Sequence, residues 1–201
     1  MDSDAWDARY AAAPDLVWSR EPNRFVAREL ADLPPGRAID LAAGEGRNAL
    51  WLAQRGWRVT AVDFSAVAID RGRRLADEHG LSVEWLVADV TGYQPAEGAF
   101  DLVLIAYLQL PGDQMAEVLR RAAAGLAPGG TLLLVGHDLA NLEHGTGGPQ
   151  DPRVLHTPES VTAALPGLRI EQAATVRRPV PTEDGSVDAL DTLVRAVRDQ
   201  V

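Results

Sequence analysis

The chain has 201 residues, enough for one α/β domain with a sizeable core and too few for two. Hydrophobic residues at 46% and charged residues at 24% are ordinary globular values and exclude wholesale disorder. A net charge of −10 argues against a nucleic-acid-binding surface, and the lack of cysteine removes disulfides, thiolate nucleophiles and cysteine-based zinc sites.

MDSDAWDARY carries neither the basic nor the apolar part of a signal peptide, and no apolar run approaches the roughly 20 residues of a membrane helix, so a cytoplasmic protein without a membrane partner is expected. Asp2 to Ala13 is polar and Ala-rich with Trp6 and Tyr10 at helical spacing. Pro14 breaks it and Trp18 follows in a loop ending near Pro22, which makes residues 1–22 an N-terminal flap and 23–201 a single domain. Asn23 to Leu33 reads as a helix, and Pro34, Pro35 and Gly36 turn the chain into a buried strand of Ala38, Ile39 and Leu41. Gly44, Glu45 and Gly46 make a turn. Arg47 to Arg55 is a helix with Ala49, Leu50, Leu52 and Ala53 inward, and Trp57 to Val62 is a second strand closed by Asp63.

Ser65 caps the next helix, which ends near Gly80. Its Arg71, Arg73 and Arg74, beside Asp70, Asp77 and Glu78, read as a solvated face. Ser82 to Ala88 is a third strand ending at Asp89, and the continuous apolar run Phe100 to Ala106 suits a central parallel strand. Met115 to Leu126 is helical, and Ala127 to Gly130 form a tight turn into the strand Thr131 to Val135. Gly136 to Thr157 shows no periodicity and holds three of the four histidines, the profile of a functional loop. Pro158 to Leu165 is a short helix. The strands Leu168 to Val176 and Asp191 to Val197 have only a loop, 177–189, between them, so they pair as an antiparallel hairpin. The fold is therefore α/β: a Rossmann-like, mostly parallel seven-stranded sheet with helices on both faces and an antiparallel C-terminal hairpin.

The turn between the first two strands chooses the ligand. A dinucleotide site wants G-x-G-x-x-G, whereas here the series is Asp40, Ala42, Gly44, Gly46, followed by Arg47 and Asn48. An acid at the start of the turn repels a pyrophosphate but can hold a cationic amino-acid group. Asp63 can accept hydrogen bonds from both hydroxyls of a ribose. A cation at the start of a helix opposes the helix dipole, so either a ligand carboxylate or a surface salt bridge accounts for Arg47.

This segment resembles motif I of the class I S-adenosylmethionine-dependent methyltransferases, and GEGRNALWLAQRGWRVTAVDFS is especially similar to the small tellurite-resistance-type branch, with Ala42 in place of the usual first glycine. The resemblance implies a methyltransferase with S-adenosylmethionine as cofactor. It implies a cofactor site of Asp40, Ala42, Gly44, Gly46, Arg47, Asn48, Asp63, Phe64 and Ser65, with Asp89 and Val90 at the adenine, Ala106 beside the sulfonium and Trp18 in the covering flap. Phe64 is either adenine packing or core, and Asp89 either an adenine partner or a turn residue. Tyr107 either faces the sulfonium, binds the acceptor or simply packs. His137, after the fifth strand, is either a general base or a loop-anchoring histidine. No metal is expected, because His144 and His156 share no metal-ligand spacing with His137, Asp138 and Glu143.

The expected partner is a small-molecule methyl acceptor, reacting through sulfur, oxygen, nitrogen or a chalcogen, on a monomer or homodimer. The competing readings are a catalytically silent S-adenosylmethionine sensor and a nicotinamide-dependent oxidoreductase, the latter disfavoured by the glycine pattern and the final hairpin.

Overall fold

The computed structural model describes residues 3–182 and 185–200. The first two residues of the predicted flap and residues 183–184 of the predicted loop lie outside them. In chain order the elements are α1 (Ser3–Ala12), α2 (Arg24–Glu29), β1 (Arg37–Leu41), α3 (Arg47–Gln54), β2 (Arg58–Asp63), α4 (Ala66–Glu78), β3 (Val83–Val87), β4 (Phe100–Ala106), α5 (Gly112–Gly125), β5 (Leu126–His137), α6 (Asn141–His144), a 3₁₀ turn (Pro152–Val154), α7 (Pro158–Ala163), β6 (Arg169–Thr182) and β7 (Gly185–Val197). The seven strands form one sheet in the order β3-β2-β1-β4-β5-β7-β6. All pairings are parallel up to β5, and β7 runs antiparallel to both of its neighbours.

Side chains alternate across the strands, and this puts a helical layer on each face. Ile39, Leu41, Val103, Ile105, Leu132 and Leu134 pack with Met115, Val118 and Leu119 of α5 and Val161 of α7. Their neighbours Ala38, Leu102, Leu104, Leu133 and Val135 pack instead with Phe25 and Val26 of α2 and Ala49 and Leu52 of α3. Leu52 is fully buried, and cutting it to Ala carries a cost of about 2–5 kcal/mol. Asp40 has the parity of Ala38, so its carboxylate enters the α3 side.

Local chemistry sets the element ends. Asn23 is the N-cap of α2, its Oδ1 accepting from the Phe25 and Val26 N–H groups, and Ser65 caps α4 through the Ala68 N–H. The helix predicted over 23–33 stops at Glu29. The tight turn predicted over 127–130 is a bulged start to β5, where a Cβ on Gly130 would lie 2.8 Å from the Ala127 carbonyl oxygen and 2.9 Å from that of Phe100.

The largest departure is at 177–189, predicted as a loop. Pairing of β6 with β7 runs on through Thr182↔Gly185, well past the last β5–β7 pair, His137↔Asp191. Pro179 and Pro181 suggest a loop in sequence, but on an edge strand one row of N–H groups has no partner, so alternate prolines lose no ladder bond. The segment 136–157 is also more ordered than its composition implies. His156 N–H donates to the His137 carbonyl, and Leu139 N–H donates to the carbonyl of His156. Asn141 donates to the carbonyls of Thr146 and Gly147 while accepting from Leu190 N–H on β7.

Candidate functional site

Between β1 and α3 the backbone turns through left-handed conformations at Ala42 (φ 63°), Gly44 (φ 57°) and Gly46 (φ 80°). Only Ala42 carries a Cβ there, which costs roughly 1–2 kcal/mol. Asp63, at the end of β2, fastens this loop: its Oδ2 accepts from Gly44 N–H at 2.8 Å and its Oδ1 from Ser65 N–H at 2.9 Å. Burial pushes the Asp63 carboxyl up, and these amides oppose the shift. Gly46 has a packing reason of its own. A Cβ there would fall 2.3 Å from the Trp85 ring of β3, and one on Gly72 of α4 would fall 2.5 Å from the same ring.

Asp40 is 1% exposed and neither of its oxygens finds a hydrogen-bond partner among the described residues. Burial, helped by the charge of Asp63, raises its pKa from 3.8 to about 7 against the opposing influence of Arg47 and the nearby Ala49 amide. A buried, unanswered carboxylate costs free energy unless a cation reaches it. Arg47 opens α3 half-buried, its pKa lowered first by desolvation while Asp40 and Tyr107 oppose. Asn48, behind it, is buried and its Oδ1 accepts from Asn23 N–H at 2.9 Å.

The N-terminal segment is pinned to this loop. Glu45, 3% exposed between the two loop glycines, accepts from the N–H groups of Val17 (2.9 Å) and Trp18 (3.4 Å) and pairs with Arg71 at 3.1 Å. Arg71 also donates to the carbonyls of Ala13 and Asp15. It is therefore a clamp rather than part of a solvated face, while Arg73 pairs with Asp70. Asp7 of α1 accepts from the Ser65 hydroxyl and Val67 N–H at the start of α4. Tyr10 is buried, which raises its phenol to about 12, and a Cβ on Gly44 would fall 2.9 Å from its hydroxyl. Trp18 Nε1 donates to that hydroxyl at 3.3 Å, and Trp6 lies against both rings. A cleft of about 290 Å³ runs between this strap and α3, lined on the helix by Arg47, Leu50, Trp51 and Gln54. Leu50, predicted to face inward, belongs to that outer stripe.

A second group of polar residues gathers where β4, β5 and β7 end. Tyr107, directly after β4, is held at φ 58°. Its hydroxyl donates to Asp191 Oδ2 at 2.7 Å and accepts from Asn23 Nδ2 at 3.3 Å. Burial, then Asp191, raises its pKa. Arg178 Nε donates to the same Asp191 oxygen at 2.7 Å, with its guanidinium 5.7 Å from the Tyr107 ring centre. His137 lies 4.9 Å from that ring, and its Nδ1 is 3.6 Å from Asp191 Oδ1. Asp191, Arg178 and Asn23 escape the sequence pattern. The one available signal is a charged residue opening the apolar run DTLVRAV.

The remaining expected residues lie around these two groups. Phe64 is half-buried, and Val90 is buried in the α5-side core. Asp89 is exposed and accepts from the Thr91 N–H and hydroxyl, a turn-closing arrangement. Ala106 ends β4 opposite Val135. Asp138 is buried and satisfied by Ala140 N–H and the hydroxyls of Thr175 and Thr192, and His156 Nε2 is 3.0 Å from the Leu108 carbonyl. His144 is exposed. Among the described residues no three His, Asp or Glu side chains are placed to share a metal ion.

The Rossmann-like sheet with a reversed seventh strand carries a glycine turn after β1, with an acid one residue before the end of β1 and another at the end of β2. Residues 38–130 match the family described as "Methyltransferase domain". Demethylmenaquinone methyltransferase of Thermus thermophilus is 36% identical over 124 residues, covering 60% of this chain and 54% of the relative. Proteins named as ribosomal RNA and tRNA methyltransferases also match. The chain thus spans about half the length, or less, of these curated relatives.

Among solved structures, one from work on conversion of a disulfide bond into a thioacetal group during echinomycin biosynthesis is 26% identical, with a TM-score of 0.77 and coverage of 98% of this chain and 92% of that one. TehB from Haemophilus influenzae shares the fold, with a TM-score of 0.73 at 14% identity and coverage of 98% and 67%. No helix of the described residues is long and apolar enough to cross a membrane.

Proposed function

We propose that this protein methylates a small-molecule acceptor, at a sulfur, oxygen, nitrogen or chalcogen atom, and stands in the small tellurite-resistance-type branch. The observation that carries the cofactor half is Asp40: a buried carboxylate with both oxygens unpartnered beside a glycine turn. That group fits the ammonium end of S-adenosylmethionine and would repel a pyrophosphate. Arg47 would answer the cofactor's carboxylate and Asp63 the ribose hydroxyls through the lone pairs its two backbone amides leave free. Asp89 and the Val90 amide would meet the adenine, with Phe64 packing beside it. Residues 3–22 would exclude water from the reacting end.

When bound, S-adenosylmethionine supplies a methyl group on a positively charged sulfur, so alignment and dryness are the protein's main tasks. Tyr107 and His137 stand at the neighbouring strand ends, where an acceptor would lie. Two features support a small acceptor over RNA. The net charge is −10, and the cluster of Arg71, Arg73 and Arg74 is partly consumed by the Arg71 clamp and the Arg73–Asp70 pair. The branch reading rests on the glycine-turn sequence and is compatible with the TehB fold.

Calorimetry with S-adenosylmethionine and with NAD is the first test: binding of the former alone is expected, and binding of NAD alone overturns the reading. A panel of thiols, phenols, amines and chalcogen oxyanions assayed for S-adenosylhomocysteine then identifies the acceptor. Tight cofactor binding with no product from the whole panel would favour a silent sensor.

A further inference from the structure

Asp191 has no solvent exposure, yet three polar side chains converge on it. Oδ2 accepts from Tyr107 at 2.7 Å and from Arg178 Nε at 2.7 Å, whereas Oδ1 has only the long contact to Arg178 Nη2 at 3.4 Å. The side facing His137 is therefore the less satisfied one. His137 Nδ1 is buried without a hydrogen-bond partner and lies 3.6 Å from that oxygen. The two residues are cross-strand partners in the β5–β7 ladder, so their side chains share a face by register. Two sides of the ring are restrained: Tyr107 tilts against it with ring centres 4.9 Å apart, and a Cβ on Gly148 would meet Nδ1 at 2.9 Å. An unpaired buried ring nitrogen beside an under-used carboxylate oxygen is costly, and shortening this 3.6 Å contact to a hydrogen bond would satisfy both atoms.

We infer that Asp191 is a positioning residue that keeps the His137 proton on Nδ1, leaving Nε2 as the free base, and that the acceptor belongs to the class carrying a removable O–H or N–H proton. This deepens the proposed function and rests on the reading of the chain as a methyltransferase. The acceptor's lone pair forms the new bond to the methyl carbon as the carbon–sulfur bond breaks, its electron pair remaining on sulfur. The acceptor's proton passes to Nε2, the imidazolium is balanced by Asp191, and the proton then leaves to solvent. Burial lowers the His137 pKa, Arg178 and His156 add to that, and Asp191 alone raises it, so the ring is neutral near pH 7 and able to accept.

The test begins on the cofactor-free full chain with ¹⁵N spectra of the imidazoles, His137→Gln identifying the resonance. Wild type is expected in the Nδ1–H tautomer, and Asp191→Asn is expected to lose that preference and titrate at lower pH. An Nε2–H tautomer in wild type, or an unchanged midpoint in the variant, overturns the inference. Should Asp191→Asn fail to fold, because Arg178 loses its partner, the wild-type tautomer decides alone.

With S-adenosylmethionine and a phenol, Asp191→Asn is expected to lower kcat by about 100-fold at unchanged cofactor affinity, while an already ionised acceptor keeps its rate. Equal losses with both acceptors also overturn it. A wild type that does not bind S-adenosylmethionine defeats the methyltransferase reading instead, and the tautomer still reports on the Asp191–His137 pair.

Discussion

The two halves of the sheet's carboxyl edge are built in opposite ways. Asp40, Ala42, Gly44, Gly46, Arg47 and Asp63 lie within one strand–turn–helix–strand unit, and local geometry brings them together. Tyr107, His137, Arg178, Asp191 and Asn23 come from five separate segments, with Tyr107 at a sequence separation of 84 from each of Asn23 and Asp191. The first half leaves an unsatisfied charge, Asp40, whereas the second satisfies nearly every polar atom internally, His137 Nδ1 excepted. On the proposed reading the first half awaits a charged ligand, and so keeps a costly group open. A site that orients a neutral reactant can hold itself rigid without one.

Asp40→Asn breaks this contrast most sharply. The folded-state pKa of about 7 stands above the ordinary 3.8, so the folded protein binds the proton more tightly than the unfolded chain. Stability tied to this group is therefore fully present below about pH 4 and lost as pH rises to about 7, by an amount on the order of 4 kcal/mol. The variant should be more stable than wild type at pH 8 by denaturant titration, should lose that part of the pH dependence, and should bind S-adenosylmethionine at least tenfold more weakly. Unchanged stability together with unchanged affinity would leave Asp40 an ordinary core residue.

Asp63→Ala removes a carboxylate that also fastens the loop. Cofactor affinity should fall by about 2–3 kcal/mol, and stability should fall as well, because Gly44 and Ser65 N–H lose their acceptor. Asp63→Asn, which keeps an acceptor oxygen, should recover more of the stability than of the affinity. If both recover together, the residue acts only through the loop.

Arg71→Ala tests whether the strap depends on its clamp. Loss of the bonds to Ala13, Asp15 and Glu45 should speed hydrogen exchange over residues 5–20 in the free protein by roughly tenfold, with S-adenosylhomocysteine restoring part of the protection. Exchange that ignores both the substitution and the ligand would make the strap plain hydrophobic packing.

The smallest effect is expected from Ala42→Gly, which relieves a left-handed alanine and should raise stability by about 1 kcal/mol without changing how the loop binds. A destabilised variant would mean that the methyl group packs usefully.

Much of the fold was legible because its signals are local. The continuous apolar run of β4, the Ser65 cap and the glycine turn each act within a few residues. The helix predicted over 23–33 and the loop predicted over 177–189 failed for one reason: their ends depend on neighbours. Leu30 takes a C-cap conformation after a helix of six residues, and Pro179 and Pro181 are tolerated in β6 only because it is the outermost strand. Gly46 shows the same limit at the site, since its indole neighbour Trp85 sits on β3.

The sequence by itself determined the Rossmann-like order of elements and the acid–glycine–acid series between β1 and β2, because periodicity, capping and turn chemistry act over a single turn or strand. Tertiary structure alone decided that Glu45 and Arg71 clamp the N-terminal strap, and that β7 carries Asp191 to the side of His137. Those contacts depend on strand register and on which strand becomes an edge, and both are set by the packing of the whole sheet rather than by any short stretch of chain.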